Sequence, residues 1–544
     1  MTKHTKNFDY IIIGAGSSGS VLADRLSADG KSTVLLIEAG GRNHSELVNM
    51  PRAFLKMWGT PGYFSYFPIK EQKDRPPGET WVYGRGLGGS SSTNGTWFLR
   101  GMQADYDSWA DMGLKEWSWD HVSRCFNEME NYRHPDAHPS RGKNGPLQVT
   151  ELPYRGRILD ATLKAGMELG LPILKDINTP NTEGIGYTQA TVDRRGRRAS
   201  SYRAFLKRAL GRSNLTVMTD TTVERINFEA LRAVGVSCKA QESSFDVCAN
   251  CEVIVSAGVM QSPKLLQVSG LGPESVLRNA GVDLVKDLPN VGQNLVDHAM
   301  LSLSFRMQNE QGANREFRGW RLAKHVIQYY LTRKGQMAYT SPEITALIAL
   351  NSEKHWPDVQ FGIGPFSMRS SEEMKANPGQ GALEDKPGLT INAMFLRPKS
   401  RGSIEIQSSD IKTPILVDAN WWGHPDDRKD LIKVVKLIRE FVSQPALSPY
   451  IVHEVSPGDE CKSDDEISEA LNWLVSPGLH GTGTCKMGNP EDSVLDSRLR
   501  VHGIEGLRVV DCSSMPTPPS GNTNGPAMML GYRASELILE DRGC

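Results

Sequence analysis

A glycine-rich turn near the N-terminus constrains the fold of this chain more than any other feature. The apolar run 8–13 is followed by Gly14, Gly16 and Gly19, at the spacing Gly-x-Gly-x-x-Gly. Glycines at this spacing allow a tight reversal from strand to helix and a close approach of backbone to a pyrophosphate. The N–H groups that begin the helix then favour an anion. The turn therefore predicts a parallel α/β sheet with a nucleotide bound at its edge.

The residues after the turn complete a β-α-β unit. A helix is expected from about Ser17, where apolar residues recur at helical spacing, and Gly30 is expected to end it. The apolar run Val34–Ile37 suits a strand that is buried on both faces. Glu38 ends this strand, 19 residues after Gly19, where a carboxylate can accept hydrogen bonds from a ribose. The unit predicts a dinucleotide, either NAD or FAD.

A second run of small residues, 84–95, distinguishes between these two cofactors. Glycines and serines at this density let the backbone pass close to a flat ligand, with N–H groups directed at phosphate or ring carbonyls. The alternative is a flexible Gly/Ser linker. Trp81, Tyr83, Trp97 and Phe98 flank the run and argue against a linker, because they anchor it. The second run favours FAD over a nicotinamide cofactor.

Length and charge exclude several classes of protein. A chain of 544 residues exceeds one ordinary core, so two or more folding units are expected. The net charge of −1 and the lack of a long basic run argue against a nucleic-acid surface. No apolar run reaches the ~20 residues needed to span a bilayer. The N-terminus shows no secretory pattern, so a cytoplasmic location is expected.

The eight cysteines do not form the framework of a disulfide-stabilised fold. Cys248 and Cys251 make a single CxxC, without the second pair that a structural zinc site requires. A redox thiolate is favoured at the start of a helix. This pair instead precedes the apolar strand 253–255. We expect two incidental thiols there and no metal site.

The remainder of the chain alternates helical and strand-like segments. Helices are expected over 105–132, 157–170, 320–334 and 427–443, and short strands over 215–258. The polar loop 368–388 suits either a lid or a surface excursion. Because the last eighty residues return to cofactor-type motifs, the nucleotide domain is expected to be discontinuous, with a substrate domain inserted. The expected regions are 7–300, 301–394, 395–460 and 461–542.

Further motifs follow in a fixed order along the chain. They are Ser256–Gly258, Gln261–Leu266, Ser269–Pro273, Asn290–Leu295 with Asp297-His298, Gly483–Gly488 and Gly506–Asp511. Together with the two glycine runs, they resemble the glucose–methanol–choline (GMC) family of FAD oxidoreductases over nearly the whole length. The resemblance implies an α/β fold, with a discontinuous Rossmann-like FAD-binding domain and an inserted α+β substrate-binding domain.

The resemblance also implies which residues hold FAD. The ADP half is assigned to Gly14, Gly16, Ser18, Gly19, Glu38 and Ala39, with Val223 at the adenine. The pyrophosphate and isoalloxazine are assigned to Gly86, Gly88, Gly89, Asn94, Gly95, Thr96 and Trp97. The remaining contacts are assigned to Ala257, Gly258, Asp511, Cys512 and Thr523. Thr93 stands where some members carry the histidine that binds FAD covalently, so non-covalent FAD is expected here.

The catalytic pair implied by the resemblance is His480 and Asn522, which lie about forty residues apart. A neutral imidazole, with a pKa near 6.5, is suited to accept the proton of an alcohol while the flavin accepts a hydride. Asn522 would orient the substrate oxygen, and Asn524 is a neighbour that could serve instead. The other histidines, including His298, are interpreted as structural.

The C-terminal helix is expected to start near the flavin. Pro526 suits the first helical position, with Asn524 or Gly525 as the cap. In the family, the N-terminus of this helix faces the pyrimidine edge of the flavin, where its dipole stabilises the anionic reduced form.

The substrate is expected to be an uncharged primary alcohol, aromatic or furanic, which is oxidised to an aldehyde. The aromatic residues expected near the pocket are Trp58, Tyr63, Phe64, Trp97, Phe361 and Phe366. Leu479 replaces the aromatic residue that several relatives carry, which predicts a roomier pocket, and Trp421-Trp422 suits either a pocket wall or packing. The acceptor is oxygen or another electron acceptor. Alternatives are an aliphatic or choline-like alcohol, a non-redox hydroxynitrile-lyase-like enzyme, and an FAD-binding module without turnover.

Overall fold

The computed structural model describes residues 6–43, 45–57, 60, 62–350, 356–368 and 383–542. Most of the expected lid loop, 369–382, lies outside these residues, and so does Trp58.

The helices are α1 (Ser17–Leu26), α2 (Glu46–Asn49), α3 (Phe54–Met57), α4 (Gln103–Asp111), α5 (Trp119–Met129), α6 (Arg157–Glu168), α7 (Lys207–Ala209), α8 (Gly258–Val268), α9 (Glu274–Asn279), α10 (Gly319–Thr332), α11 (Pro425–Val442), α12 (Asp464–Leu474) and α13 (Asn524–Glu540).

The strands are β1 (Lys6–Ile13), β2 (Val34–Ile37), β3 (Phe64–Pro68), β4 (Thr80–Gly84), β5 (Glu130–Asn131), β6 (Leu147–Gln148), β7 (Thr150–Glu151), β8 (Gly184–Tyr187), β9 (Gln189–Ala190), β10 (Leu215–Met218), β11 (Thr221–Glu229), β12 (Arg232–Ala240), β13 (Ser243–Val255), β14 (Leu271–Gly272), β15 (Lys286–Asp287), β16 (Ala299–Met307), β17 (Ile344–Ile348), β18 (Val359–Gly364), β19 (Gly388–Phe395), β20 (Ser403–Glu405), β21 (Leu416–Asp418), β22 (Ile451–Ser456), β23 (Ser476–Pro477) and β24 (Leu507–Val509).

The first sheet is built from strands that are far apart in the sequence. Its order is β10-β2-β1-β13-β12-β11, and β24 pairs with β13. The pairs of β1 with β2 and with β13 are parallel, and so is that of β13 with β24. Apolar side chains of β1 and β2 are buried on both faces, as in parallel sheets covered by helices. The predicted α/β fold, with a discontinuous Rossmann-like sheet, is confirmed.

The second sheet is antiparallel and forms the core of the inserted part. Its order is β22-β16-β19-β18-β17-β8, with β23 beside β16. Apolar residues of α6, α11 and α12 belong to the same buried cluster as this sheet, so helices cover one of its faces. On β18, the side chain of Gln360 reaches Asn522 near the C-terminus. β16 starts directly after His298, so the motif 290–298 leads straight into the second sheet.

Four expectations about local structure are wrong. α1 ends at Leu26 with Ser27 as its C-cap, so Gly30 does not end it. The helix expected over 105–132 is interrupted between α4 and α5, because Gly113 adopts a left-handed φ of +93°. The C-terminal helix begins at Asn524 with Thr523 as its cap, so Pro526 is the third helical residue. Cys251 is disulfide-bonded while Cys248 is a free thiol.

Two further observations concern possible partners. None of the described helices has the length and apolar character needed to cross a membrane. Within the described parts of the chain, no cluster of three or more His, Cys, Asp or Glu side chains is placed to hold a metal ion.

Candidate active site

The first glycine turn is closely packed, and its glycines are required by that packing. Gly14 has a φ of +102°, and a Cβ atom on it would lie 2.4 Å from the Ser256 carbonyl oxygen. A Cβ atom on Gly19 would lie 1.9 Å from the Gly14 carbonyl oxygen. By contrast, a Cβ on Gly16 would make only van der Waals contact, with the Ser256 carbonyl oxygen 4.0 Å away. The turn thus presents bare backbone at the start of α1, as a bound pyrophosphate requires.

The second glycine run closes against the first. The Gly88 N–H donates to the Ala15 carbonyl at 2.7 Å, and a Cβ on Gly89 would lie 2.9 Å from the Gly16 Cα. The helix start at Gly16 has no side-chain cap, which leaves its N–H groups available. Two sequence segments that each predict a phosphate contact therefore line one cleft.

Glu38 holds three backbone segments together at the edge of this cleft. One oxygen accepts from the Ala15 N–H at 2.9 Å, and the other accepts from Gly40 and Gly86 at 2.8 and 3.0 Å. Carboxylate oxygens have further lone pairs, so acceptance from a ribose stays a prediction. The predicted adenine contact, Val223, follows Thr221, whose N–H donates to the Glu38 carbonyl at 3.1 Å.

Other predicted cofactor residues shape the cleft through their own contacts. Asp511 accepts from the Gly258 N–H at 2.9 Å and from the Ser513 N–H at 2.8 Å, so it fixes the loop that contains Cys512. The Ser18 hydroxyl donates to the Ala527 carbonyl at 2.7 Å, which leaves only its backbone N–H for a cofactor. The other residues predicted to contact FAD lie within the part of the chain that the structure describes; they are Ala39, Asn94, Gly95, Thr96, Trp97, Ala257 and Thr523.

A buried arginine supports the assignment of this cleft to an anionic cofactor. Arg198 is fully buried and donates to the Asn94 carbonyl, the Ser91 carbonyl and the Val48 carbonyl, while its Nη2 has no partner in the structure. Burial lowers its pKa to about 9. A guanidinium surrounded by carbonyl groups still needs an anionic partner. A Cβ on Gly95 or Gly258 would meet nothing within 4 Å, so the cleft has room beside the loop. These residues fit FAD.

The C-terminal motif reaches the first turn directly. The Ser17 hydroxyl donates to the Asn524 Oδ1 at 2.9 Å, across more than five hundred residues of sequence. α13 then packs along α1, and a Cβ on Gly531 would lie 2.7 Å from the Ser18 carbonyl oxygen. The loop that carries Asn522 is therefore held against the start of α1.

His480 is presented by a strained backbone that a carboxylate holds in place. Leu479 has a φ of +59°, which is unusual for a residue with a side chain. The two oxygens of Asp297 accept from the N–H groups of Leu479 and His480, at 3.0 and 2.7 Å. Burial raises the pKa of Asp297 to about 7, against the opposing effect of these N–H groups. The carboxylate fixes the direction of the imidazole.

The predicted catalytic pair lies within hydrogen-bonding distance. The Asn522 Nδ2 is 3.1 Å from the His480 Nε2, and the Asn522 Oδ1 accepts from the Gln360 Nε2 at 3.1 Å. In this orientation the amide donates to His480, so Nε2 is the unprotonated nitrogen. The Nδ1–H then donates to the Nδ1 of His298, which is 3.1 Å away. Burial lowers the pKa of His480 to about 4, which keeps the imidazole neutral.

His298 belongs to the site, although it was expected to be structural. It is fully buried, its pKa lies well below the usual range because of burial, and its Nε2 has no partner. A bridge between Val296 and Thr482 brings the two histidines together. The Asp297-His298 motif was visible in the sequence, but its register with His480 was not.

Gln360 is a second residue that the sequence reading missed. It lies on β18, where side chains alternate between the faces of the sheet. Gln360 reaches Asn522, and a Cβ on Gly362 would lie 2.3 Å from the ring of Trp97. Phe361, which was expected near the substrate, is fully buried on the other face and contacts Phe441. That expectation is wrong because of the alternation.

Of the remaining aromatic residues, some pack in the protein interior and others lie near His480. Trp421 contacts Trp81, with a ring-centre distance of 5.9 Å, and its Nε1 donates to Glu79 at 3.1 Å. Trp421 therefore packs, and together with Trp422 it also lines a small cavity that Asp297 borders. Tyr63 and Leu479 pack against an apolar cluster next to His480, formed by Val48, Met57, Phe64 and Val82.

Comparisons with known proteins identify the family. The chain matches the family model "GMC oxidoreductase" over residues 8–300 and its C-terminal counterpart over 398–531. It is 37% identical to an oxygen-dependent choline dehydrogenase from Vibrio vulnificus, covering 98% of this chain and 94% of that one. The corresponding enzyme from Photobacterium profundum is 35% identical, with 98% and 93% covered.

A solved structure supports the same fold. The pyridoxine 4-oxidase from Mesorbium loti superposes with a TM-score of 0.87 at 26% identity, covering 98% of this chain and 99% of that one. The protein is an FAD-dependent oxidoreductase that acts on CH–OH groups. The chain belongs to the GMC oxidoreductase family.

Proposed function

We propose that the protein oxidises an uncharged primary alcohol, aromatic or furanic, to the aldehyde, with His480 as the base and non-covalent FAD as the hydride acceptor. The observation that carries this proposal is the convergence of the His480 Nε2 and the Asn522 Nδ2, 3.1 Å apart. One nitrogen accepts a proton and the other donates a hydrogen bond. The oxygen of an alcohol needs both.

Asn522 and His480 have different roles at the alcohol oxygen. Asn522 donates its amide N–H to the oxygen and orients it. His480 accepts the hydroxyl proton at Nε2. Loss of that proton raises the electron density at the carbinol carbon, which makes departure of a hydride easier. Bound FAD supplies the acceptor for that hydride.

The surroundings of His480 favour its neutral form, because burial lowers its pKa to about 4. The Asn522 amide donates to Nε2, which makes that nitrogen the unprotonated one. Once protonated, it still donates Nδ1–H to the His298 Nδ1, so the charge retains a hydrogen-bond acceptor. His298 is a positioning residue, because it acts on the ring nitrogen opposite the reacting one.

The charge of the site supports a neutral substrate. Asp297, the carboxylate beside His480, directs both oxygens at backbone N–H groups and not into the site. The apolar cluster around Leu479 and Tyr63 adds a wall without charge. The name of pyridoxine 4-oxidase indicates that it acts on pyridoxine, an aromatic compound.

A choline-like alcohol is the second candidate, since the choline dehydrogenases are 35–37% identical to this chain. A panel of benzyl alcohol, furfuryl alcohol, hexanol and choline, assayed with oxygen and with an artificial dye, separates the two. We expect kcat/KM for the aromatic and furanic alcohols to exceed that for choline by at least about tenfold, or about 1.4 kcal/mol. A preference for choline over every neutral alcohol would contradict the proposed substrate class.

Release of the flavin tests its mode of attachment. Thr93 has no ring nitrogen to attack the flavin, and its hydroxyl lies 3.4 Å from the Ser90 carbonyl oxygen. Acid precipitation is therefore expected to leave all the flavin in the supernatant. Yellow colour in the washed pellet would show a covalent bond instead.

The pH dependence of kcat/KM tests the protonation state of His480. Because burial lowers its pKa to about 4, the free enzyme holds the neutral base above that pH and loses it below. We expect kcat/KM to fall on the acid side near pH 4, well below the usual 6.5 of histidine. An acid limb centred at 6.5 or higher would mean that the imidazole is solvated.

A further inference from the structure

α10 carries large apolar side chains on its outer surface. Trp320, Ile327 and Leu331 are 71%, 59% and 80% exposed. They are seven and four residues apart, so they lie on one face of the helix. Tyr330, at the margin of this face, is also exposed. An exposed stripe of this kind is uncommon on a protein that contacts only water.

The opposite face of α10 is already anchored in the protein. Tyr329 is fully buried, in a cluster with Met50, Ala53, Met337 and Ala338. Leu322 and Val326 pack against the same cluster. α10 therefore has two apolar faces. One packs against the protein, and the exposed stripe is the other.

The charges beside the stripe are positive. Lys324 lies between Trp320 and Ile327 along the helix, and Lys334 follows its C-terminus; both are exposed. Arg321 and Arg333 are paired with Glu316 and Glu46. Within the described parts of the chain, neither lysine has an ion pair. The stripe thus combines an apolar centre with uncompensated cations.

This combination identifies the partner. Helices that lie in a membrane interface bury an apolar face among the lipid headgroups, and their lysines meet anionic lipid. Tryptophan and tyrosine are favoured at that depth. A second copy of the chain fits less well, because a two-fold axis at the middle of α10 would place Lys324 near its own equivalent. We propose that α10 seats the protein on an anionic membrane surface, with the helix parallel to the plane of the lipids.

Sedimentation of the FAD-loaded protein with vesicles tests this proposal. We expect binding to vesicles of phosphatidylcholine mixed with phosphatidylglycerol and much weaker binding to phosphatidylcholine alone. Trp320→Ser, Ile327→Ser and Leu331→Ser combined should abolish binding to both. Lys324→Gln and Lys334→Gln should each weaken binding to the anionic vesicles by about fivefold, and added salt should do the same.

A matched control uses exposed apolar residues elsewhere, Met167→Ser, Leu210→Ser and Leu284→Ser, and should bind like the wild type. Turnover of a water-soluble alcohol should be unchanged in both triple variants, which verifies their fold. Absence of vesicle binding in the wild type, or equal binding by the α10 triple variant, would overturn the proposal. So would a dimer in gel filtration that only the α10 variant loses, because a second copy would then cover the stripe.

Discussion

Replacing His480 with Ala is expected to lower turnover of the alcohol by roughly 10²–10⁴-fold, the usual loss when a general base is removed. The site lies beside the cofactor cleft and does not form it, so the variant should retain FAD at full occupancy. Steady-state kinetics and the flavin absorbance per protein give the two readouts. The physical reason is that, among the residues that the structure describes, Gln360 is the other side chain hydrogen-bonded to Asn522, and an amide does not accept a proton as a base.

His453→Ala is the control for this variant, because His453 is exposed on β22. It should keep wild-type turnover. Wild-type turnover in the His480 variant would show that His480 is not the general base. Loss of flavin along with activity would instead assign His480 a structural role.

Replacing Gly16 with Val is expected to yield a folded protein that lacks FAD. The new Cβ would make only van der Waals contact, with the Ser256 carbonyl oxygen 4.0 Å away, and Gly16 has a φ of −73°, so the backbone accommodates a Cβ there. The added methyl groups would then occupy the space above the start of α1 that a pyrophosphate requires. The expected result is a colourless protein with an unchanged circular dichroism spectrum and no alcohol oxidation.

Gly211→Val serves as the matched control, because a Cβ there meets nothing within 4 Å and the residue lies outside the glycine turns. It should purify with FAD. A yellow Gly16 variant with normal turnover would show that the cofactor does not approach this turn.

The sequence was sufficient to predict the parts of the fold that depend on local pattern. β1, the glycine turn, α1 and β2 follow from unbroken apolar runs and helical spacing, and β2 was predicted residue for residue. The break at Gly113 was missed because the apolar pattern continues across it. The start of α13 was missed because Asn524 is engaged by Ser17, a contact that no local signal reveals.

The residues of the candidate site also fall into those that the sequence predicts and those that it does not. His480 and Asn522 were predicted by motif, and the structure places them together. His298 and Gln360 were not, because their contacts cross 182 and 162 residues of chain. Whether a residue on β18 faces the site or the core depends on how the strands of the second sheet are paired. That register cannot be predicted from the local sequence. That register decides that Gln360 faces Asn522 and that Phe361 does not.

A crystal structure of the FAD-loaded protein with a non-reacting analogue of the alcohol tests the central claim most directly. The account predicts that the analogue oxygen lies about 3 Å from both the His480 Nε2 and the Asn522 Nδ2, with the carbinol carbon facing the flavin N(5). An imidazole directed away from the flavin, or an analogue oxygen held by other residues, would contradict it.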